Sequence, residues 1–105
     1  MARALPDTLP ALTADADTLD RGRDLYNDNC GICHGFSALG GGVIPDLRYL
    51  DEQGHQAFPA IVAGLYADKG MPSFAGDLSL EQVKAIHQYL IKRTGDLRRE
   101  LQSAP

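Results

Sequence analysis

The sequence lacks an excess of positive charge and lacks any long apolar run. Its formal net charge is −4, which makes its surface a poor match for nucleic acid or anionic lipid and favours a partner with a basic face. No stretch approaches the roughly 20 apolar residues that a transmembrane helix needs. The first ten residues also lack the apolar region of a signal peptide, so for an exported protein we expect a leader, or a preceding domain, upstream of Met1.

Aromatic residues are scarce, and strand periodicity is absent. Tryptophan does not occur and aromatic residues make up 7% of the chain, whereas 11 glycines and 6 prolines interrupt its 105 residues. No segment alternates between apolar and polar residues, and no repeat occurs. The hydrophobic fraction of 44% is nevertheless ordinary for one globular domain. We therefore expect an all-α domain of three to five helices with long loops. Its side chains alone are not expected to fill the core, so the domain needs an additional group there.

The first helix is predicted over residues 17–30. Leu19, Gly22, Tyr26 and Cys30 recur there at helical spacing and form one stripe. A glycine inside a helix costs about 1 kcal/mol relative to alanine. The close approach of another helix is the simplest reason for Gly22.

Two further helices are predicted. Residues 55–65 form the second, and their apolar side consists of Ala57, Phe58, Ile61, Val62 and Leu65. The third begins with Ser79 and Gln82, which match the S-x-x-Q capping box. Its apolar residues are Val83, Ile86, Tyr89, Leu90 and Ile91. We expect Gly95 to close this helix in a left-handed conformation.

The pattern divides the chain into three parts. Residues 1–16 carry Pro6 and Pro10 without sustained periodicity, so they are interpreted as a flexible lead or interdomain linker. Residues 17–96 are the folded domain. Residues 97–105 form a C-terminal tail, which could extend as a frayed helix.

Both cysteines lie in one short stretch, "CGICHG", residues 30–35. On a helical turn, Cys30, Cys33 and His34 stand at i, i+3 and i+4 and face the same way. Two thiols so placed can add to the two vinyl groups of a haem, while the imidazole reaches the iron. C-x-x-C-H is also the recognised signature of covalent haem attachment. The motif therefore predicts haem c, attached through Cys30 and Cys33, with His34 as an iron ligand.

Three other interpretations of the motif lack their expected context. A structural zinc site needs four nitrogen or sulfur ligands, and only His55 and His87 remain to complete one. A redox C-x-x-C belongs beside a βαβ pattern. A structural disulfide needs no histidine after its second cysteine. A zinc-stabilised or haem-sensing binding module stays open as a second functional class, and haem content separates it from an electron carrier.

Met71 is the candidate for the second axial ligand. Pro72 pushes the preceding residue toward an extended conformation, so the thioether is presented from a braced loop. Alone, a methionine more often fills a gap in the core. His55 and His87 are rival ligands, but His87 is expected at the edge of a packed or solvated helix face, and His55 at the N-terminal turn of a helix.

The chain resembles the class I c-type cytochromes over residues 18–94. The matching residues precede the first cysteine, lie in the last helix or form the methionine loop: Gly22, Tyr26, Cys30, Ile86, Tyr89, Met71 and Pro72. The resemblance implies a class I cytochrome c fold around one covalently bound haem, with the two terminal helices crossing at close range. It also implies that the Pro45 carbonyl accepts the Nδ1–H of His34, which fixes the imidazole and raises its basicity.

A narrower resemblance is carried by "IPDLRYL" and "KGMPSFA". These stretches are similar to the C-terminal haem domain of quinohaemoprotein (PQQ-dependent) alcohol dehydrogenases. The resemblance implies that Arg48, with Tyr49, pairs with a haem propionate; a solvated surface arginine is the competing interpretation. Residues 1–16 would then be the interdomain linker of such an enzyme, although a free-standing relative fits equally well.

The expected function follows from an iron whose two axial positions are filled. With His34 and Met71 bound, no position is open for oxygen or substrate, so a low-spin haem can only cycle between Fe(II) and Fe(III). A His/Met pair raises the reduction potential. We expect an electron carrier that is not an enzyme by itself, monomeric as a domain. Its expected partners are redox proteins or a PQQ dehydrogenase domain, and the resemblance implies a periplasmic location.

Overall fold

A computed structural model describes most of the chain. The described residues are 5–31, 47–69, 71 and 73–103. Over these ranges the protein is helical and contains no strand, which confirms the all-α prediction. Its helical elements, in chain order, are α1 (Ala16–Asn29), a 3₁₀ turn (Leu47–Tyr49), α2 (Glu52–Ala60), a π-helical turn (Ile61–Leu65), a second 3₁₀ turn (Ala67–Lys69) and α3 (Leu80–Ser103).

Helices α1 and α3 cross at close range, and Gly22 lies at the crossing. A Cβ added to Gly22 would stand 2.1 Å from the carbonyl oxygen of Ala85, far inside van der Waals contact. The rings of Tyr26 and Tyr89 meet beside this point, with centroids 5.6 Å apart. The prediction that Gly22 permits the approach of another helix is therefore confirmed.

Polar side chains cap all three helices at their N-terminal ends. The Oδ1 atoms of Asp15 and Asp51 accept hydrogen bonds from the third residue beyond each cap, at 2.8 and 2.7 Å. At α3 the Ser79 amide donates to Gln82 Oε1 at 2.8 Å, while the Gln82 amide donates to Ser79 Oγ at 3.1 Å. The capping box is thus confirmed, and each cap satisfies backbone donors that have no partner within the helix.

The core forms where α1, α2 and α3 meet. Its buried members are Tyr26, Phe58, Val62, Leu78, Val83, Ile86, Tyr89 and Leu90. Five partly buried residues pack against this cluster and are called the core edge below: Leu25, Cys30, Leu47, Leu50 and Phe74. The apolar face predicted for the last helix is therefore the face that α3 buries.

The second predicted helix begins earlier than expected and changes geometry at its end. Helix α2 starts at Glu52, and the chain continues as a π-helical turn in which Gly64 has a φ of 122°. Leu65 is the last residue of this turn and is 54% exposed. Its placement on the apolar side of the helix was wrong, because the positive φ at Gly64 turns the chain out of the helical path.

The last helix does not end at Gly95. Helix α3 continues to Ser103, and Leu97 is buried at 6% exposure. Asp96 forms ion pairs with Lys92, Arg93 and Arg99 along the same stretch. Partial burial opposes ionisation, but these cations and the Lys92 hydrogen bond hold the pKa of Asp96 below its ordinary value. The predicted left-handed closure was wrong because burial of Leu97 and these pairs favour continued helix.

The described part of the lead, residues 5–15, lies against the helices. The Gln88 Oε1 atom accepts hydrogen bonds from the Thr13 and Ala14 amides at 2.8 and 2.9 Å, and its Nε2 donates to the Ala11 carbonyl at 3.0 Å. Thr8 Oγ1 donates to Glu52 Oε1 at 2.8 Å. The division into residues 1–16, 17–96 and 97–105 stays a prediction.

None of the helices in the described part of the chain combines the length and the apolar character that crossing a bilayer requires.

Candidate cofactor site

Cys30 lies where α1 ends, directly on the core edge. Its amide donates to the Tyr26 carbonyl at 2.7 Å, which closes the last turn of the helix. The residue is half-buried and packs against the core together with Leu47, Leu50 and Phe74. A thiol at the end of a helix, on the border of an apolar core, suits the attachment of a flat apolar cofactor.

Three of the predicted site residues lie outside the described residues. They are Cys33, His34 and Pro45. The geometry of the C-x-x-C-H turn and the bond between the Pro45 carbonyl and His34 therefore stay predictions.

Met71 lies in a loop that is attached to the π-helical turn. The Met71 amide donates to the Tyr66 carbonyl at 3.2 Å, and the residue is half-buried. Phe74 N–H donates to the Val62 carbonyl at 2.8 Å, which ties the far end of the loop to the core. The thioether thus projects from backbone that is held on both sides.

Ser73 and Gly64 add a brace that the sequence interpretation missed. Ser73 Oγ donates to the Ala63 carbonyl at 2.7 Å. A Cβ on Gly64 would lie 3.0 Å from the Ser73 Cβ, so this glycine both turns the chain and makes room for the loop. The sequence offered one signal for this brace. Ser73 follows the predicted helix that has Gly64 near its end, and serine side chains often hydrogen-bond to nearby backbone groups.

Arg48 and Tyr49 lie in the 3₁₀ turn Leu47–Tyr49, and both are half-buried. The Arg48 carbonyl accepts a hydrogen bond from Thr94 Oγ1 at 2.7 Å. Thr94 was also missed. It continues the stripe of Leu90 at i+4, so the visible signal was a hydroxyl placed where the pattern calls for an apolar side chain.

His55 and His87 contact each other. The Nδ1 atom of His55 lies 2.9 Å from Nε2 of His87, and the two rings stack with centroids 5.1 Å apart. The His87 ring also stacks on Phe58, with centroids 4.5 Å apart. His55 lies in the first turn of α2, and His87 lies at the margin of the packed face of α3, as expected. Each imidazole thus has the other as a partner, whereas the second ring nitrogen of His55, Nε2, is buried and has no hydrogen-bond partner among the described residues.

Burial keeps this histidine pair neutral. The pKa of His87 is lowered to about 4, chiefly by desolvation. Repulsion from a protonated His55 is the second cause. Desolvation also lowers the pKa of His55, and the nearby carboxylate of Asp51 opposes that shift. Within the described ranges, no group of three or more His, Cys, Asp or Glu side chains could hold a metal ion.

The sequence and the fold match a known class of protein. The family model described as "Cytochrome C oxidase, cbb3-type, subunit III" matches residues 17–90. The solved structure of quinohaemoprotein alcohol dehydrogenase ADHIIG from Pseudomonas putida HK5 superimposes with a TM-score of 0.86 at 45% identity, over 94% of this chain and 14% of that chain. The protein is thus a c-type cytochrome domain with the class I cytochrome c fold. It belongs to the cytochrome family that the cbb3-type subunit III model represents.

Curated relatives fall into two kinds. Quinohaemoprotein alcohol dehydrogenase ADH-IIG of Pseudomonas putida is 50% identical over 97 residues, which cover 90% of this chain and 14% of the relative. Cytochrome c550 of Pseudomonas aeruginosa is 39% identical over 74 residues, covering 66% of this chain and 51% of that protein. The chain spans about one seventh of the first relative's length. Membership of the family implies haem c and electron transfer.

Proposed function

We propose that the domain carries one haem c, attached through Cys30 and Cys33 and ligated by His34 and Met71, and accepts single electrons from a dehydrogenase. The observation that carries the proposal is the composition of the core edge. Cys30 from the end of α1 and Phe74 from the Met71 loop pack against the same core cluster. An attachment point and a sulfur-bearing loop therefore border one apolar region.

The chain's own residues determine which chemistry is possible. When bound, haem c supplies reversible one-electron exchange between Fe(II) and Fe(III). His34 and Met71 would occupy both axial positions, so no substrate site remains, and the domain is a carrier and not an enzyme. The thioether of Met71 favours the ferrous state. The apolar side chains Leu47, Leu50 and Phe74 exclude water and so disfavour the extra charge of the ferric state.

Arg48 and Tyr49 are proposed to bind a haem propionate. Their turn precedes Leu50 of the core edge and is itself half-buried, so a charged or hydroxyl side chain there is partly shielded from water. A guanidinium is well suited to a carboxylate because its donors form a planar fork.

The electron donor is proposed to be a quinone-dependent dehydrogenase. The names of the quinohaemoprotein relatives motivate this assignment, together with their identity to the present chain. Covalent haem attachment also favours a periplasmic location, and the domain is proposed to be monomeric. Leu65 and Tyr66, at 54% and 42% exposure, lie beside the Met71 loop and offer an apolar contact for a transient partner. Such redox contacts are small, below about 1,200 Å² in total.

The first experiment is a visible spectrum of the purified protein in both oxidation states, followed by acid–acetone extraction. Covalent, six-coordinate haem c should remain with the polypeptide and give a low-spin spectrum. A colourless protein that contains zinc would contradict the proposal and favour a structural or sensing module.

The second experiment tests the ligand. Met71→Ala should lower the reduction potential and allow carbon monoxide to bind the ferrous iron, because one axial position opens. Asp77→Ala is the matched control, since it changes an exposed side chain shortly after the same loop and removes no sulfur. An unchanged potential in Met71→Ala would refute the ligation by Met71.

A further inference from the structure

We propose that Thr94 is a positioning residue of the haem site, acting through the carbonyl of Arg48. The inference rests on the proposed function, because it assigns a consequence to the turn that carries Arg48 and Tyr49. It concerns a residue on α3 that contributes no ligand and lies far from the C-x-x-C-H motif in sequence.

The Thr94 hydroxyl bonds to the turn more closely than to its own helix. Its Oγ1 lies 2.7 Å from the Arg48 carbonyl oxygen and 3.2 Å from the Leu90 carbonyl oxygen. A hydroxyl carries one hydrogen, and threonines in helices usually give it to the carbonyl four residues back. Here the shorter contact leaves the helix. Thr94 is 0% exposed, so its hydroxyl donates to these protein carbonyls and has no access to water.

The turn is also held at its other end. The Leu50 amide donates to the Leu47 carbonyl at 3.2 Å, which closes the 3₁₀ turn. The Leu50 side chain fills space above Gly54 of α2, since a Cβ on Gly54 would stand 2.4 Å from Leu50 Cδ1. Helix α2 therefore holds the end of the turn, and Thr94 on α3 holds its middle.

The two attachments differ in what they control. Packing of the Leu50 side chain fixes how close the 3₁₀ turn lies to α2. It leaves the peptide bond after Arg48 able to rotate. The hydrogen bond from Thr94 fixes the direction of the Arg48 carbonyl, and with it the Cα positions from which the Arg48 and Tyr49 side chains project. Loss of that bond would remove this constraint and let the peptide of a half-buried turn rotate.

Three variants of the haem-loaded domain separate positioning from packing. Thr94→Val keeps the volume and removes the hydroxyl; Thr94→Ser keeps the hydroxyl and removes a methyl group. Ile91→Val is the matched control, because Ile91 is 3% exposed on the same helix and its truncation weakens packing alone. Amide hydrogen exchange of Leu50 and the reduction potential are measured for all three.

In Thr94→Val we expect Leu50 amide exchange to accelerate by roughly ten-fold, because the turn opens locally. The reduction potential should fall, since a displaced guanidinium opposes the ferric charge less. Thr94→Ser should restore both quantities, and Ile91→Val should leave both near the parent values. If Thr94→Val matches Ile91→Val in both measurements, Thr94 only fills space and the proposal is overturned.

A double variant tests the route through Arg48. Arg48→Leu should lower the potential more than Thr94→Val does, and Thr94→Val should add nothing further in that background. Additive effects would show that Thr94 acts elsewhere and would overturn the proposed route. Absence of covalent haem in the parent protein would instead remove the proposed function itself, while leaving the Leu50 exchange result interpretable.

Discussion

The α1–α3 crossing and the core edge are built differently, although both border the same core. At the crossing, Tyr26, Ile86 and Leu90 are almost completely buried, and the helices touch through their backbones. At the core edge, the packed residues stay partly exposed in the described structure. The protein's own atoms complete the first region, whereas the second leaves apolar side chains partly exposed. The crossing can therefore be altered by mutation without changing the proposed haem attachment, and the attachment without changing the crossing.

Removal of the haem attachment should have the largest effect. In Cys30→Ala/Cys33→Ala, no thioether can form, so the core edge loses its expected filler and we expect a largely unfolded chain. Far-UV circular dichroism and denaturant titration measure this. A cooperative, native-like transition in the variant would show that the crossing suffices to fold the domain and would contradict the expectation.

Substitution at the crossing should be the next largest effect. Gly22→Ala forces the two helices apart, because the new Cβ would overlap the Ala85 carbonyl at 2.1 Å. We expect the free energy of unfolding to fall by about 3 kcal/mol. Gly76→Ala is the control, since no atom lies within 4 Å of a Cβ there, and its change should stay within about 1 kcal/mol. Equal losses in both variants would argue against the steric explanation.

The histidine pair, His55 and His87, should make the free energy of unfolding depend on pH. His87 has a pKa of about 4 in the folded protein against 6.5 for an ordinary histidine, so the unfolded chain binds more protons between these values. Stability is therefore full above pH 6.5 and should decrease as the pH falls toward 4. The acid dependence is measured as the slope of the unfolding free energy against pH. We expect a smaller slope in His87→Gln. An unaltered slope in that variant would assign the acid sensitivity to other groups.

The smallest expected change concerns the N-terminal end of α3. Ser79→Ala removes the acceptor of the Gln82 amide, at 3.1 Å, and should cost about 1 kcal/mol of unfolding free energy. Ser103→Ala, at the exposed opposite end of the helix, should change it by less than about 0.5 kcal/mol. Thermal denaturation compares the two; similar small shifts would mean that the capping box contributes little.

Features with a local sequence signal were predictable, and features that depend on distant contacts were not. The predictions of a close helix approach at Gly22 and of a capping box at Ser79 and Gln82 were correct. One residue carries the first signal, and one short spacing carries the second. The prediction that the last helix ends at Gly95 was wrong, because the helix continues where Leu97 is buried. That burial depends on tertiary packing. The contacts of Gln88 with the lead join positions more than seventy residues apart, and no local pattern encodes them.

The residues of the candidate site stay predictions, and the contacts that support Met71 and Arg48 were not predictable from the sequence. The sequence indicated a braced Met71 loop through Pro72, but the bracing visible in the described residues comes from Ser73, Phe74 and the turn at Gly64. The hydroxyl of Thr94 meets the Arg48 carbonyl only because α3 passes behind the 3₁₀ turn. Supporting contacts of this kind arise from the fold and not from the motif.

The three hydrogen bonds of Gln88 have a consequence for any protein joined upstream of the lead. Such a fusion would join a lead whose last part cannot swing freely, since Ala11, Thr13 and Ala14 are tied to the middle of α3. The separation between two redox centres would then vary less than an untethered lead of the same length allows. Electron tunnelling decays steeply with distance, so a narrow spread of separations would give a nearly uniform transfer rate.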